Sequence, residues 1–415
     1  MDDRVVITGT GMVTSLGLSA SETWNALLAG KSGIKPIEDF DAGGFDCRSA
    51  AQVSGLNPSD LGIHPRDARI MDKHSFMLMK CSHDAFRESG IDRASIEGED
   101  IGFFAGMGMV DYNRDDLLPA LLKSRDPNGN LDYDKFFSGG YQEMHPLWPL
   151  SMLNNISFSQ VAISLDIRGE NAVFAPHADS GAAAVAEAVR ALSERKTKIA
   201  LAGGVSEKVS PSSLARANLA GILSTTENNR EAVCRPFSVE RNGTLLGEGC
   251  GIVALELLSS ARARGASYKA IITGYGFAFD DVSIAMQSAI ENAGLKPSDI
   301  DVIIAHGDGT FSGDKNKAEA IHQIFSDCME KIFVYSSKGA LGNMFAGAPA
   351  VDIILGVHML EHGLIPATLN SAPLDENLRF NLVRDKPLRA SPKRIMVNSQ
   401  SYEGQCASLI IEAVD

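Results

Sequence analysis

The most chemically promising stretch is Val173-Phe-Ala-Pro-His-Ala-Asp-Ser-Gly181, which runs directly into Ala182-Ala-Ala-Val-Ala-Glu-Ala-Val-Arg-Ala-Leu192. It reads as a short strand, a tight turn and an Ala-rich helix whose first two turns carry almost no polar group, so the helix can be buried deeply. A buried helix N-terminus favours an anion through its free N–H groups and its dipole, which makes it a good seat for a thiolate nucleophile. The residue at the tip of this turn is Ala178, which can attack nothing. Asp179 and Ser180 stand where an N-cap and a first-turn acceptor belong. Ser180 has no base within sequence-visible range, so it reads as a capping residue rather than a replacement nucleophile. His177, next to Pro176, reads as a structural turn residue.

Two further motifs are weaker. His358-Met-Leu-Glu-His362 has the H-x-x-E-H spacing of some zinc hydrolases. It falls in the last turn before Gly363, where histidines suit the helix dipole, and spacing shows no third ligand, so no metal is expected. Gly247-Glu-Gly-Cys-Gly251 precedes a strand, Ile252-Val-Ala-Leu-Glu256, rather than a helix, and therefore gives no phosphate cradle. Met107, Met109, Met144 and Met152 read as core or interface filling.

The elements that must position these residues nearly repeat. Val5-Val-Ile-Thr-Gly-Thr-Gly-Met-Val13 is a strand broken by glycines, and Ala270-Ile-Ile-Thr-Gly-Tyr-Gly-Phe277 does the same. Glu99-Asp-Ile-Gly-Phe-Phe-Ala-Gly-Met-Gly108 is matched by Asp301-Val-Ile-Ile-Ala-His-Gly-Asp-Gly309. The turn and helix at 173–192 are matched by a strand at Phe333-Val-Tyr-Ser-Ser-Lys338 and a buried helix from Ala348 to Leu360. Lys198-Ile-Ala-Leu-Ala-Gly-Gly204 and Lys393-Arg-Ile-Met-Val-Asn398 supply a further strand to each half. This predicts an α/β protein of two duplicated β/α halves, residues 1–258 and 259–415, with two sheets packed on shared helical layers. The first half carries an insert at about 109–170, of a size that usually builds an oligomer interface or covers a pocket.

With 415 residues, 44% of them hydrophobic, the chain can bury a large core. Its net charge of −14 argues against non-specific binding to nucleic acid or to anionic membranes. The six cysteines lack C-x-x-C spacing, no apolar run approaches the ~18 residues of a membrane helix, and Met1-Asp-Asp-Arg-Val-Val-Ile leads straight into a strand. The expected setting is a reducing cytoplasm.

Over essentially its whole length the chain resembles the β-ketoacyl-acyl-carrier-protein synthases of the thiolase fold. The resemblance rests on Ile7-Thr-Gly-Thr-Gly-Met, Trp24-Asn-Ala-Leu-Leu-Ala-Gly-Lys-Ser-Gly33, Ala202-Gly-Gly204, Arg235-Pro-Phe237 with Gly247–Gly251, Ala305-His-Gly307 with Gly313-Asp314, and Ser336-Ser-Lys338. It implies a layered αβαβα arrangement, a tight dimer, and decarboxylative Claisen condensation on acyl chains held by the phosphopantetheine of an acyl carrier protein. It also implies a Cys nucleophile at the buried helix N-terminus and two histidines that stabilise an enolate.

Several of those implied positions are altered here. The nucleophile position is Ala178, the first histidine is kept as His306, the lysine is kept as Lys338, and the second histidine falls on Asn343. The acid three residues after Asp314 becomes Lys317, with Glu319 as a substitute that would need a shift in the helix. The apolar glycine-rich gate becomes Asn398-Ser-Gln-Ser-Tyr-Glu-Gly-Gln-Cys406. Without a thiolate there is no acyl-enzyme, and one histidine cannot supply both donors to an enolate oxygen; His306 then reads as a buried histidine satisfied by backbone. The resulting expectation is a non-catalytic subunit resembling the chain-length factor of type II polyketide synthases. It would pair with a catalytic ketosynthase and an acyl carrier protein, with no cofactor or metal of its own. Two alternatives stand beside it: a diverged enzyme that hydrolyses or decarboxylates with His306, and a free-standing acyl- or carrier-binding module. In the resembled dimers the segment after the first-half buried strand reaches the other subunit's acyl pocket. Here that segment makes Met109 and Tyr112 the candidates to end a tunnel, with Trp148 close by and Gly106 and Gly108 allowing close approach to the neighbour.

Overall fold

The computed structural model describes residues 4–111, 114–151, 153–225 and 234–414; Tyr112 and Met152 lie outside them. The first half opens with β1 (Val5–Thr14), every residue of which is buried. Then come α1 (Ala20–Leu28), α2 (Lys73–Glu88) and β2 (Ile101–Met107). After the insert's last long helix, α3 (Asn154–Leu165), come β3 (Asn171–Phe174), α4 (Ser180–Ser193), β4 (Ile199–Val205) and β5 (Gly249–Leu257). The second half repeats the plan with β6 (Ala270–Phe279), α5 (Val282–Asn292), β7 (Val302–Ile304), α6 (Phe311–Phe325) and β8 (Phe333–Tyr335). It ends with α7 (Ala348–His362), β9 (Asn381–Leu382), β10 (Arg394–Gln400) and β11 (Gln405–Ala413).

The strand order makes the duplication explicit. One half runs β3-β2-β4-β5-β1 and the other β8-β7-β10-β11-β6, with β9 added outside β8. In each half the first three strands are parallel and the last two antiparallel. The expectation of two separate sheets is corrected at one seam. Val5, Val6 and Ile7 of β1 pair antiparallel with Ile272, Ile271 and Ala270 of β6, so one sheet of eleven strands runs through both halves.

Three apolar clusters define the layers. The largest holds α4 and α7 between inward-facing residues of both halves, including Phe104, Val253, Ile304 and Ile395. A second lies where α2 and α3 cover the outside of the first half, and a third where α5 and α6 cover the second. The result is the αβαβα stack. α7 can be buried almost all round because its sequence is apolar on every face; Pro349 sits in its first turn, and Gly363 closes it in the left-handed conformation at φ 61°. The insert folds as further short helices, Arg114–Lys123, Tyr133–Ser138 and Trp148–Ser151, ahead of α3. Among the described residues no helix is long and apolar enough to cross a membrane.

Candidate functional site

The site gathers at the C-terminal ends of the parallel strands, where α4 and α7 begin. Ala178 is completely buried, in an apolar cluster with Ile34, Val209, Leu246 and Phe345. A hydrocarbon surface therefore fills the place where an anion would profit from the α4 N-terminus. Asp179 does hold the N-cap position, but its side chain accepts no capping hydrogen bond, and burial raises its carboxyl pKa. Its type had suggested a cap; its helical backbone angles (φ −86°, ψ −14°) carry the carboxylate away from the first-turn amides.

His306 follows β7 and is 4% exposed. Backbone does not satisfy it, contrary to expectation. Its Nε2 lies 3.6 Å from Asp308 Oδ2, and Nδ1 has no hydrogen-bond partner. Burial and the Lys338 cation push its pKa down to about 4, so the ring is neutral at physiological pH. Burial alone would raise Asp308, but the histidine contact and the Thr310 donors hold it at about 2. Lys338 is fully buried with its Nζ 3.6 Å from Asp352 Oδ2.

Asn343 is buried, and its Oδ1 accepts from the Phe345 N–H at 3.1 Å. That places its carbonyl in a local turn, with Phe345 at φ 44°. Asp314 accepts from the amides of Phe237 (2.6 Å) and Gly309 (3.2 Å), and burial beside Asp308 lifts its pKa to about 7. Lys317 is fully buried and its Nζ has no hydrogen-bond partner. Burial lowers its pKa to about 7. Glu319 does not slip into the acid's role. It faces solvent, with Lys315 Nζ 3.7 Å away, because two helix positions separate it from the buried face of Lys317.

A cleft of about 560 Å³ reaches His306 and Asp308 from the surface, walled by Asn242, Thr310, Gln400 and Tyr402 among others. Among the described residues its charged walls are Asp280 and Asp308, with no lysine or arginine. The altered gate is the turn between β10 and β11. Glu403 on that turn accepts from Ser401 and lies 3.4 Å from His177 Nδ1. This contact joins residues 226 positions apart and has no sequence signal.

Met109, 43% exposed, lines a small cavity of about 50 Å³ with His177, Phe345 and Tyr402. Trp148 is elsewhere: its one-turn helix packs on the turn Asp67–Ile70, and it does not line the Met109 cavity. The close approaches that Gly106 and Gly108 permit are also internal. A Cβ on Gly106 would stand 2.3 Å from the Gly181 nitrogen at the start of α4, and one on Gly108 would stand 2.1 Å from the Glu207 nitrogen.

Comparison with known proteins bears on this geometry. Residues 2–261 match the N-terminal domain of β-ketoacyl synthase, and residues 270–372 match its C-terminal domain. The chain belongs to the β-ketoacyl synthase family. A 3-oxoacyl-[acyl-carrier-protein] synthase 2 of Coxiella burnetii (strain RSA 493 / Nine Mile phase I) is 28% identical over 99% of both chains. Among solved structures, an ishigamide ketosynthase/chain length factor superposes with a TM-score of 0.87 at 27% identity, covering all of both chains. A type II polyketide synthase ketosynthase bound to its acyl-carrier protein and the hexaketide shares the fold, with a TM-score of 0.85 at 23% identity and full coverage of both chains. Within this family scaffold the turn leading into α4 carries Ala178, followed by Asp179 and then Ser180, the first residue of the helix.

Proposed function

We propose that this chain is the non-catalytic, chain-length-factor-like half of a ketosynthase pair. It would help a catalytic ketosynthase extend a polyketide or polyene chain carried on the phosphopantetheine of an acyl carrier protein. The observation that carries this reading is Ala178, sealed by apolar side chains at the helix N-terminus where acyl transfer needs a thiolate. Asn343 stands where the resemblance places the second histidine, with its Oδ1 accepting from the Phe345 amide, and Lys317 puts a cation where the resemblance places an acid. The superposable ketosynthase/chain length factor supports the pairing, and the carrier-protein complex supports the nature of the substrate. Among the described residues the cleft to His306 presents no lysine or arginine for a pantetheine phosphate, which fits a subunit that leaves carrier docking to its partner.

A second reading rests on His306. A neutral imidazole with a free Nδ1 beside an open cleft has the form of a general base, as a stand-alone hydrolase or decarboxylase would require. One experiment separates the two. The isolated chain is incubated with malonyl- and acyl-carrier protein, and both protein and carrier are followed by intact-mass spectrometry. The proposed function expects no acyl adduct on the chain and no loss of malonyl groups; hydrolysis or decarboxylation abolished by His306→Ala would establish the second reading instead.

A further inference from the structure

The H-x-x-E-H motif has a geometry that its spacing alone does not reveal. His358, Glu361 and His362 occupy the last turn of α7, remote in sequence from the altered catalytic positions. His358 Nδ1 and His362 Nε2 stand 3.4 Å apart, and His358 Nδ1 is 3.8 Å from Glu361 Oε2. Two nitrogens each about 2.1 Å from one ion stand roughly 3.4 Å apart at a tetrahedral angle, so the histidine pair is already set for shared coordination. The three ligand atoms lie within 4.8 Å of one another. Glu361, the acid within the motif, is thus a third ligand whose carboxylate the spacing alone does not place beside the histidines.

The surroundings hold this arrangement. Trp24 of α1 stacks on both imidazoles, with centroids 5.3 Å from His358 and 5.8 Å from His362, and so limits their rotation. Lys269 Nζ contacts the other carboxylate oxygen, Glu361 Oε1, at 3.3 Å and Glu88 Oε1 at 3.3 Å. Oε2 remains available to an ion while Oε1 keeps its lysine, an outer partner of the kind that orients metal-binding carboxylates. The carbonyl end of the α7 dipole adds negative potential.

We propose that His358, Glu361 and His362 form a binding site for one divalent transition-metal ion of the zinc class, with water completing the tetrahedron. An imidazole pair with one carboxylate suits zinc, nickel and copper and disfavours magnesium and calcium, which prefer all-oxygen shells. Bound there, the ion pins the end of α7 beside α1 through the Trp24 stack.

The test uses the full chain without any histidine tag, stripped with a chelator. Isothermal titration with Zn²⁺ is expected to show one saturable equivalent and a rise in melting temperature. His362→Ala changes an exposed side chain and should weaken binding beyond the roughly 10–100-fold typical of losing an outer-shell partner. Glu361→Gln should weaken it less. In a Trp148→Phe background Trp24 is the remaining tryptophan, and stoichiometric Cu²⁺ should quench most of its emission, saturably. His362→Gln serves if the alanine variant melts abnormally. Absence of saturable Zn²⁺ uptake, or uptake and quenching unchanged in a folded His362 variant, would overturn the site.

Discussion

Lys317 shows how much one buried residue can reveal about the interior of this fold. A fully buried ammonium without a hydrogen-bond acceptor is among the costliest arrangements in a core, and it persists here in the first turns of α6. Its pKa falls from the ordinary 10.5 to about 7, chiefly through burial. Between those values the unfolded chain holds a proton that the folded chain does not, so this group makes stability rise with pH across the window. Lys317→Met keeps the volume and removes the charge, and should stabilise the fold by about 1–4 kcal/mol near neutral pH. The advantage should be largest at pH 7 and below and should narrow toward pH 10. Denaturant midpoints of both proteins at several pH values check this, and a constant difference would mean that Lys317 does not titrate in the window. The identity of this residue was plain in the sequence. Its isolation was not, since Glu319 was an available partner on paper and only the helix face excludes it.

At the scale of elements, the glycine-interrupted strands and Ala-rich helices were readable because their side chains leave few alternatives. Gly106 has no space for a Cβ, so β2 and the start of α4 must be adjacent. The seam between β1 and β6 was invisible, because three backbone pairings leave no mark on side-chain pattern. The His177–Glu403 contact was hidden in the same way, by sequence distance. The segment leaving β2 carries the element-scale prediction. Gly108 N–H donates to Val205 O at 2.9 Å and fixes the backbone, which leaves Met109 as the movable bulk over the small cavity. If this segment closes an acyl tunnel, Met109→Ala opens about three methylenes of space and should shift products longer by one two-carbon unit. Met109→Trp should shift them shorter. Product profiles by mass spectrometry on the assembled pair decide it, and an unchanged profile with either substitution would remove Met109 from any role in length control.

On the scale of the whole molecule, charge and exposed apolar surface point in different directions. The net charge of −14 opposes long-range attraction of an acidic carrier protein, within screening of ~8 Å at physiological salt. Two basic residues that would soften this are engaged: Arg264 pairs with Glu256, and Lys269 with Glu88 and Glu361. The insert, by contrast, exposes Leu131, Tyr133, Phe137, Tyr141, Leu147 and Ile163 to solvent. Beside it β3 forms the sheet's terminal strand. Phe103 N–H donates to Glu170 O, so by the alternation of a parallel ladder the Val173 amide points away from β2, toward the open edge. An edge of this kind pairs readily with a strand of another chain. Val173→Pro deletes that outward donor while leaving the inward ladder bonds, and its side chain is 38% exposed, so the fold itself should survive. Under the proposed pairing, the wild-type chain co-expressed with a catalytic ketosynthase should elute as a heterodimer in size-exclusion chromatography with light scattering. The proline variant should shift toward separate subunits, with a dissociation constant about fivefold weaker, since losing one strand-edge hydrogen bond of ~1 kcal/mol corresponds to that factor. A proline variant that stays folded and pairs as tightly as wild type would show that the partner docks without using the β3 edge.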